Sequence, residues 1–295
     1  MNIFSAVATS ALSALSLLSP APQARSLPRV AYTPPHTKPA QSFAETISVP
    51  QARGVVLGAE APPTQTLTPI PRKLSKTSYT IAILGDSMVD TLGIDLLDLQ
   101  NDLKKRFPNV SFRLLNYGVG ATNIDMGLPR LSGEYVYEGR TVPSLISQNP
   151  DIVVIESFGY NPYSFSEGAI DRHWLALAGM KDAIRERLPK TKIVIAATIA
   201  PDRDTFGDGA PGVSFDETAK RERTDVIKEY LLSTVRFARG EGLPLADAFH
   251  PSLDGSGDGK IEYINPGDHI HYSDSGRKLF SQVLGEAIET NRLLE

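Results

Sequence analysis

From position 79 onward, short apolar or β-branched runs alternate with longer stretches whose apolar residues recur every three or four positions. Residues 79–84, 112–115, 152–155 and 193–197 are runs of the first kind, bounded by polar positions. Such runs suit buried strands of a parallel sheet. Between them, residues 92–107 place Leu96, Leu99 and Leu103 on one helical face, and Pro108 closes the segment. Residues 169–188 and 218–239 read the same way, closed by Pro189 and Gly240, and a last helix is predicted over 274–294. Strands alternating with helices predict an α/β domain, a doubly wound parallel sheet with helices on both faces.

The first 78 residues follow no such alternation. Residues 3–18 are apolar or small and carry no charge; Pro20 follows, then Ala24 ahead of Arg25. This is the layout of a secretory h-region and cleavage site, although no Lys or Arg precedes it and Pro22 stands three residues before the Ala24–Arg25 bond. The run is short for a span of about 20 apolar residues. Residues 1–24 are therefore expected to be a signal peptide or membrane anchor. In residues 25–78, prolines such as Pro28, Pro34, Pro35, Pro62 and Pro63 lie among Thr, Ser, Ala and Gln. Few bulky apolar side chains are present to offset the entropy of ordering, so a largely disordered Pro/Thr-rich linker is expected, with residues 54–57 able to dock as a strand. The catalytic domain is expected over 79–295, held outside the cytoplasm, secreted or in the cell envelope.

Composition narrows the chemistry. The 295 residues are 41% hydrophobic and 22% charged with a net charge of −4, a balance suited to one sizeable domain plus extra segments. Nothing marks a clustered basic face, so nucleic acid is not an expected partner. Cysteine is absent, which removes disulfides, a thiolate nucleophile and thiolate metal sites.

Four short motifs fall at strand exits or helix entries. Gly85-Asp86-Ser87 directly follows the first strand, where ligands bind in a doubly wound sheet; the same tripeptide is also ordinary turn chemistry. Asn116-Tyr117-Gly118-Val119-Gly120-Ala121 follows the second strand, and its glycines allow N–H groups to point into a site. Gly159-Tyr160-Asn161 follows the third, with an amide able to donate to an oxyanion or to serve a turn before Pro162. Asp268 precedes His271 by three residues ahead of the last helix, a spacing that lets the carboxylate fold back onto the imidazole. His269 competes for the role, but adjacent residues point apart, which favours His271.

Together these motifs resemble the SGNH/GDSL hydrolase family over about residues 79–290. Gly85-Asp86-Ser87 is similar to its Gly-Asp-Ser block and Asn116 to Ala121 to its Asn-x-Gly-x-x-Gly block. Gly159-Tyr160-Asn161-Pro162 is similar to Gly-x-Asn-Asp, and Asp268 and His271, with Gly276 five residues on, to the Asp-x-x-His block. The resemblance implies a flavodoxin-like parallel sheet of about five strands and a serine esterase without metal or organic cofactor. Ser87 would be the nucleophile, His271 the base and Asp268 its orienting carboxylate. The oxyanion hole would be the N–H of Ser87, the N–H of Ala121 (or Gly120) and the Asn161 side chain. Ala121 and Pro162 depart from the pattern, which has glycine and aspartate there.

Family likeness does not choose a substrate. Export on a tether favours acylated, above all O-acetylated, glycans, with Tyr135 and Tyr137 of the 132–140 segment available for stacking. A carbohydrate O-acetyltransferase, a lipase or lysophospholipase and an inactive glycan-binding relative are the alternatives. Residues 254–261 follow the first eight positions of a calcium loop, but Asn265 stands where a bidentate Glu is expected, predicting poor affinity.

Overall fold

The structure, a computed structural model, describes residues 73–163 and 168–295. The expected signal segment, the 54–57 strand and nearly all of the expected linker lie outside the described residues. The chain is already docked just after its first described residue. Leu74 packs on the core, and Ser75 N–H donates to Leu294 O at 2.9 Å. Leu74 and Ser75, within the expected linker, thus contact the domain expected over 79–295.

Five strands form one parallel sheet: β1 (Ser78–Gly85), β2 (Ser111–Gly118), β5 (Ile152–Glu156), β6 (Lys192–Ala197) and β7 (Leu245–Asp247). Between β2 and β5 the chain forms an antiparallel hairpin, β3 (Tyr135–Tyr137) with β4 (Arg140–Val142). The sheet order is β2-β1-β5-β6-β7. This is the flavodoxin-like winding, with its switch point between β1 and β5, where a crevice opens outside the strands' carboxyl ends.

Among the described residues, seven α-helices accompany the strands: α1 (Ser87–Asp90), α2 (Leu97–Arg106), α3 (Gly127–Ser132), α4 (Ala169–Arg187), α5 (Glu217–Gly240), α6 (Phe249–Ser252) and α7 (Asp274–Thr290). Successive strand residues point to opposite faces. Ile81, Ile83, Ile152 and Val154 meet Leu99 and Leu103 of α2 and Phe280 and Leu284 of α7. Ala82, Leu84, Val153 and Ile155 meet Leu131 of α3 and Leu177, Met180 and Ile184 of α4. Burial of β5 on both faces explains its unbroken apolar run.

Two elements differ from the sequence expectation. The helix expected over 92–107 begins only at Leu97, because Gly93 (φ +84°) and Leu96 (φ +47°) take left-handed conformations. The last helix ends at Thr290 rather than 294, and the chain then turns, with Leu293 N–H on Ile288 O. Among the described residues no helix is long and apolar enough to cross a membrane.

Candidate active site

The end of β1 sets the first part of the site. Asp86 caps the short helix α1: its Oδ1 accepts from Met88 N–H at 2.8 Å, which fixes the turn that presents Ser87. Ser87 is partly exposed, and its Oγ has no hydrogen-bond partner among the described residues. The turn is packed tightly against the end of β2. A Cβ on Gly118 would lie 2.1 Å from Asp90 N, so only glycine admits this approach of β2 to α1.

The loop after β2 carries the second part. Asn116 bridges it to α1, its Nδ2 donating to Val89 O at 2.9 Å. Ala121 has φ +54°, the left-handed conformation that a glycine at this place would adopt freely. Its N–H is not engaged among the described residues. Gly120 N–H, the alternative donor, is occupied: it donates to Tyr137 Oη at 3.2 Å, and that hydroxyl donates to Asp90 Oδ2 at 2.6 Å. The hairpin tyrosine therefore braces the loop, and of the two candidates Ala121 is the one with a free donor.

The loop after β5 brings the third. Asn161 Nδ2 donates to Asp86 Oδ2 at 2.9 Å. An amide nitrogen has two hydrogens, so one remains for a ligand. Beneath lies Glu156, fully buried at the end of β5, accepting from Phe158 N–H at 2.9 Å and from Ser157 Oγ. Burial, reinforced by the neighbouring Asp86 carboxyl, pushes the Glu156 pKa well above its ordinary value. Burial also raises Asp86, opposed by Asn161, Met88 N–H and the charges of His271 and Arg130.

The fourth part precedes α7. Asp268 Oδ2 lies 2.9 Å from His271 Nδ1, and its Oδ1 accepts from the N–H groups of Ile270 (2.9 Å) and His271 (3.0 Å). Burial alone would raise the Asp268 pKa, but these hydrogen bonds outweigh it and hold the carboxyl below its ordinary value. Nδ1 faces the carboxylate, which leaves Nε2 as the open nitrogen. Tyr272 anchors the loop: it is buried, and its hydroxyl is hydrogen-bonded to Thr198 just beyond β6. His271 sits close enough to Asp86 for its charge to bear on that carboxyl. His269 turns elsewhere, its Nδ1 2.8 Å from Asp208 O.

The structure thus gathers Ser87, Ala121, Asn161, Asp268 and His271 at the carboxyl end of the sheet, around the switch point. Sequence reasoning missed Glu156 and Arg130, whose guanidinium touches three of these segments. The one available signal for Glu156 was a carboxylate closing an apolar strand. Of the other histidines, His173 is buried on α4 with Nε2 2.7 Å from Ser157 O, and His250 pairs with Asp247 at 2.7 Å. In the calcium-like loop, Asp254 Oδ1 accepts from Ser256 and Asp258 N–H groups, and the Asp258 carboxylate is taken by Arg203 and Lys228. Its acids are spent on closing a turn and holding cationic side chains.

No family model matches the sequence, and no curated protein matches it. Solved structures do. A lipase/acylhydrolase from Enterococcus faecalis superposes with TM-score 0.51 at 19% identity, covering 72% of this chain and 96% of that one. A GDSL-like lipase from Bacteroides thetaiotaomicron gives 0.50 at 15% identity over 75% and 93%. A GDSL-like protein from Parabacteroides merdae gives 0.53 at 15% over 75% and 99%. The α/β fold of this chain is that of SGNH/GDSL hydrolases.

Proposed function

We propose that this protein is a serine esterase of the SGNH/GDSL type. The observation that carries the reading is the Asp268–His271 hydrogen bond placed at the same sheet end as Ser87, with N–H groups of Ser87 and Ala121 that are unengaged among the described residues and the Asn161 amide nearby. His271 Nε2 takes the proton of Ser87 Oγ as that oxygen attacks the ester carbonyl, through a hydrogen bond that forms when substrate binds. Asp268 holds the ring tautomer and stabilises the imidazolium. The Ser87 and Ala121 N–H groups and the second Asn161 hydrogen meet the oxyanion. The alcohol leaves with a proton from His271, and water, activated by His271, releases the acid from the acyl-serine. All of these steps use side chains and N–H groups of this chain.

For the substrate, an O-acylated carbohydrate fits best. A cavity of about 540 Å³ lies between the edge of β2 and the hairpin, lined by polar and aromatic groups including Asp90, Arg113, Asn116, Tyr135, Tyr137 and Arg140. Asp90, which lines the cavity, ends the helix that Ser87 begins, so the cavity lies within one helical turn of the nucleophile. Hydroxyl-rich groups suit such a lining. The uncharged N-terminal run and the Pro-rich segment of the sequence favour action outside the cytoplasm.

The test is hydrolysis of para-nitrophenyl acetate, butyrate and octanoate and of an acetylated oligosaccharide by the full chain, Ser87→Ala and His271→Ala. Acetyl ester turnover is expected to fall at least about a thousandfold in both variants. Turnover unchanged in Ser87→Ala overturns the mechanism; a marked preference for octanoate overturns the carbohydrate reading while leaving the esterase intact.

A further inference from the structure

Arg130 is only 2% exposed, although it projects from α3, a short helix that supplies none of the reacting groups. Its hydrogen bonds run largely to the segments that do. Nη1 donates to Gly85 O and to Tyr117 O, both at 2.9 Å, and Nη2 donates to Thr122 Oγ1 at 3.2 Å. Nε returns to Met126 O of its own segment at 2.9 Å. Gly85 immediately precedes Asp86 and Ser87, while Tyr117 and Thr122 bracket the loop that bears Ala121. The guanidinium carbon also lies 5.4 Å from the centre of the Phe158 ring, in the loop that leads to Asn161. Phe158 itself has φ +52°, a left-handed conformation that needs its surroundings to hold it.

A guanidinium is an unusual choice for such a place. Burial disfavours its charge, and Tyr135, Asp86 and Glu156 act against that. An apolar side chain would fill the volume without this cost, but it would not tie strand ends together. Arginine offers a rigid planar fork with donors in fixed directions, which lysine does not reproduce.

Resting on the esterase reading, we infer that Arg130 is a positioning residue: by gathering Gly85 O, Tyr117 O and Thr122 Oγ1 onto one guanidinium, it sets the spacing between the Ser87 nucleophile and the Ala121 N–H. The spacing matters because an oxyanion donor works only at hydrogen-bond distance from where the charge develops. A shift of about 1 Å in a reacting group costs about a hundredfold in rate.

The experiment compares the full chain with Arg130→Met and Arg130→Lys by amide hydrogen exchange resolved to peptides, and by kcat and KM on para-nitrophenyl acetate. In Arg130→Met, exchange should rise in peptides covering 85–91 and 117–124 and stay unchanged in α5. Its kcat should fall about a hundredfold with KM little changed. Arg130→Lys keeps the charge and loses the fork, so it should show the same pattern more weakly; if the Met variant does not fold, the Lys variant decides. Parental exchange and parental kcat in the folded variants overturn the inference. Exchange rising evenly through the sheet overturns it too, since that marks a general structural role. If the parent hydrolyses no ester and Ser87→Ala changes nothing, the esterase reading is what fails, and the exchange pattern still decides whether Arg130 holds the two segments.

Discussion

At φ +54°, Ala121 sits where a Cβ costs an L residue about 1–2 kcal/mol. The donor it offers is a backbone N–H, so the chemistry needs the conformation rather than the side chain. Ala121→Gly removes the strain but gives the unfolded chain more freedom, about 0.5–1 kcal/mol in the opposite direction. Stability should therefore rise by no more than about 1.5 kcal/mol, with kcat kept. Ala121→Val, β-branched in a left-handed position, should lower both stability and kcat. Urea denaturation and acetyl ester kinetics check the pair; a valine variant with parental kcat means that the Ala121 N–H does not serve the oxyanion. Ser87, Asn161, Asp268 and His271 stood out in the sequence as candidates because each sits in turn chemistry at a strand exit or helix entry, which sequence displays. Arg130 and Glu156 were not. Gly127-Leu-Pro-Arg130-Leu-Ser132 reads as an ordinary short helix, and only the tertiary approach of α3 to the ends of β1 and β2 turns its arginine inward.

A buried histidine ties α4 to the residue just after β5. His173 of α4 is 1% exposed, and its Nε2 contacts Ser157 O, just ahead of the Asn161 loop. Burial lowers its pKa from 6.5 to about 4, partly opposed by that contact. Below pH 6.5 the unfolded chain binds a proton that the folded chain refuses, so stability falls as pH drops from about 6.5 toward 4. The full shift corresponds to at most about 3 kcal/mol. His173→Gln keeps a hydrogen-bonding group without the titration, so its stability should vary less over that window. Urea unfolding at pH 7, 5.5 and 4.5 measures the difference; parallel pH profiles would mean that His173 titrates normally. The elements differ in how visible they were for physical reasons. Strands such as β5 and β6, buried on both faces, announce themselves as apolar runs. The three-residue β7, Leu-Ala-Asp, is too short to form a run. The β3–β4 hairpin, read in the sequence only as a segment offering Tyr135 and Tyr137 for stacking, did carry a turn signal: Glu138-Gly139 between Tyr-Val-Tyr and Arg-Thr-Val. Both turn residues have positive φ (+49° and +72°), as a two-residue hairpin turn requires.

The whole domain is closed by its two ends. Ser75 N–H donates to Leu294 O, Tyr79 Oη donates to the same carbonyl, and Lys76 N–H donates to Tyr79 Oη at 2.8 Å. Leu74 packs on the core beside the buried Leu293 and Leu294. These contacts fasten the stretch after α7 to the start of β1. The opposite end of α7 is capped by Ser273, whose Oγ accepts from Gly276 N–H, two residues beyond His271. Gly276 in turn presses on Tyr263, where a Cβ would lie 2.1 Å from the carbonyl oxygen, so the helix start has little room to move. α7 is thus held at both ends, and the histidine loop takes its position from it. A chain beginning at Tyr79 forfeits the backbone hydrogen bonds from Ser75 N–H to Leu294 O and from Ser111 N–H to Thr77 O, worth about 1 kcal/mol each, together with the Lys76 N–H bond to Tyr79 Oη and part of the burial of one leucine. It should therefore be less stable than a chain beginning at Lys73 by about 2–4 kcal/mol. The exposed Lys76–Asp151 pair adds little to this. Because the loss falls on the end of α7 far from Ser273, kcat at 25 °C should change much less than stability. Urea denaturation and acetyl ester kinetics on the two chains separate these outcomes. Coincident unfolding curves would mean that residues 73–78 contribute nothing to the folded unit. A kcat that falls in step with stability would mean that strain at the end of α7 reaches His271 directly.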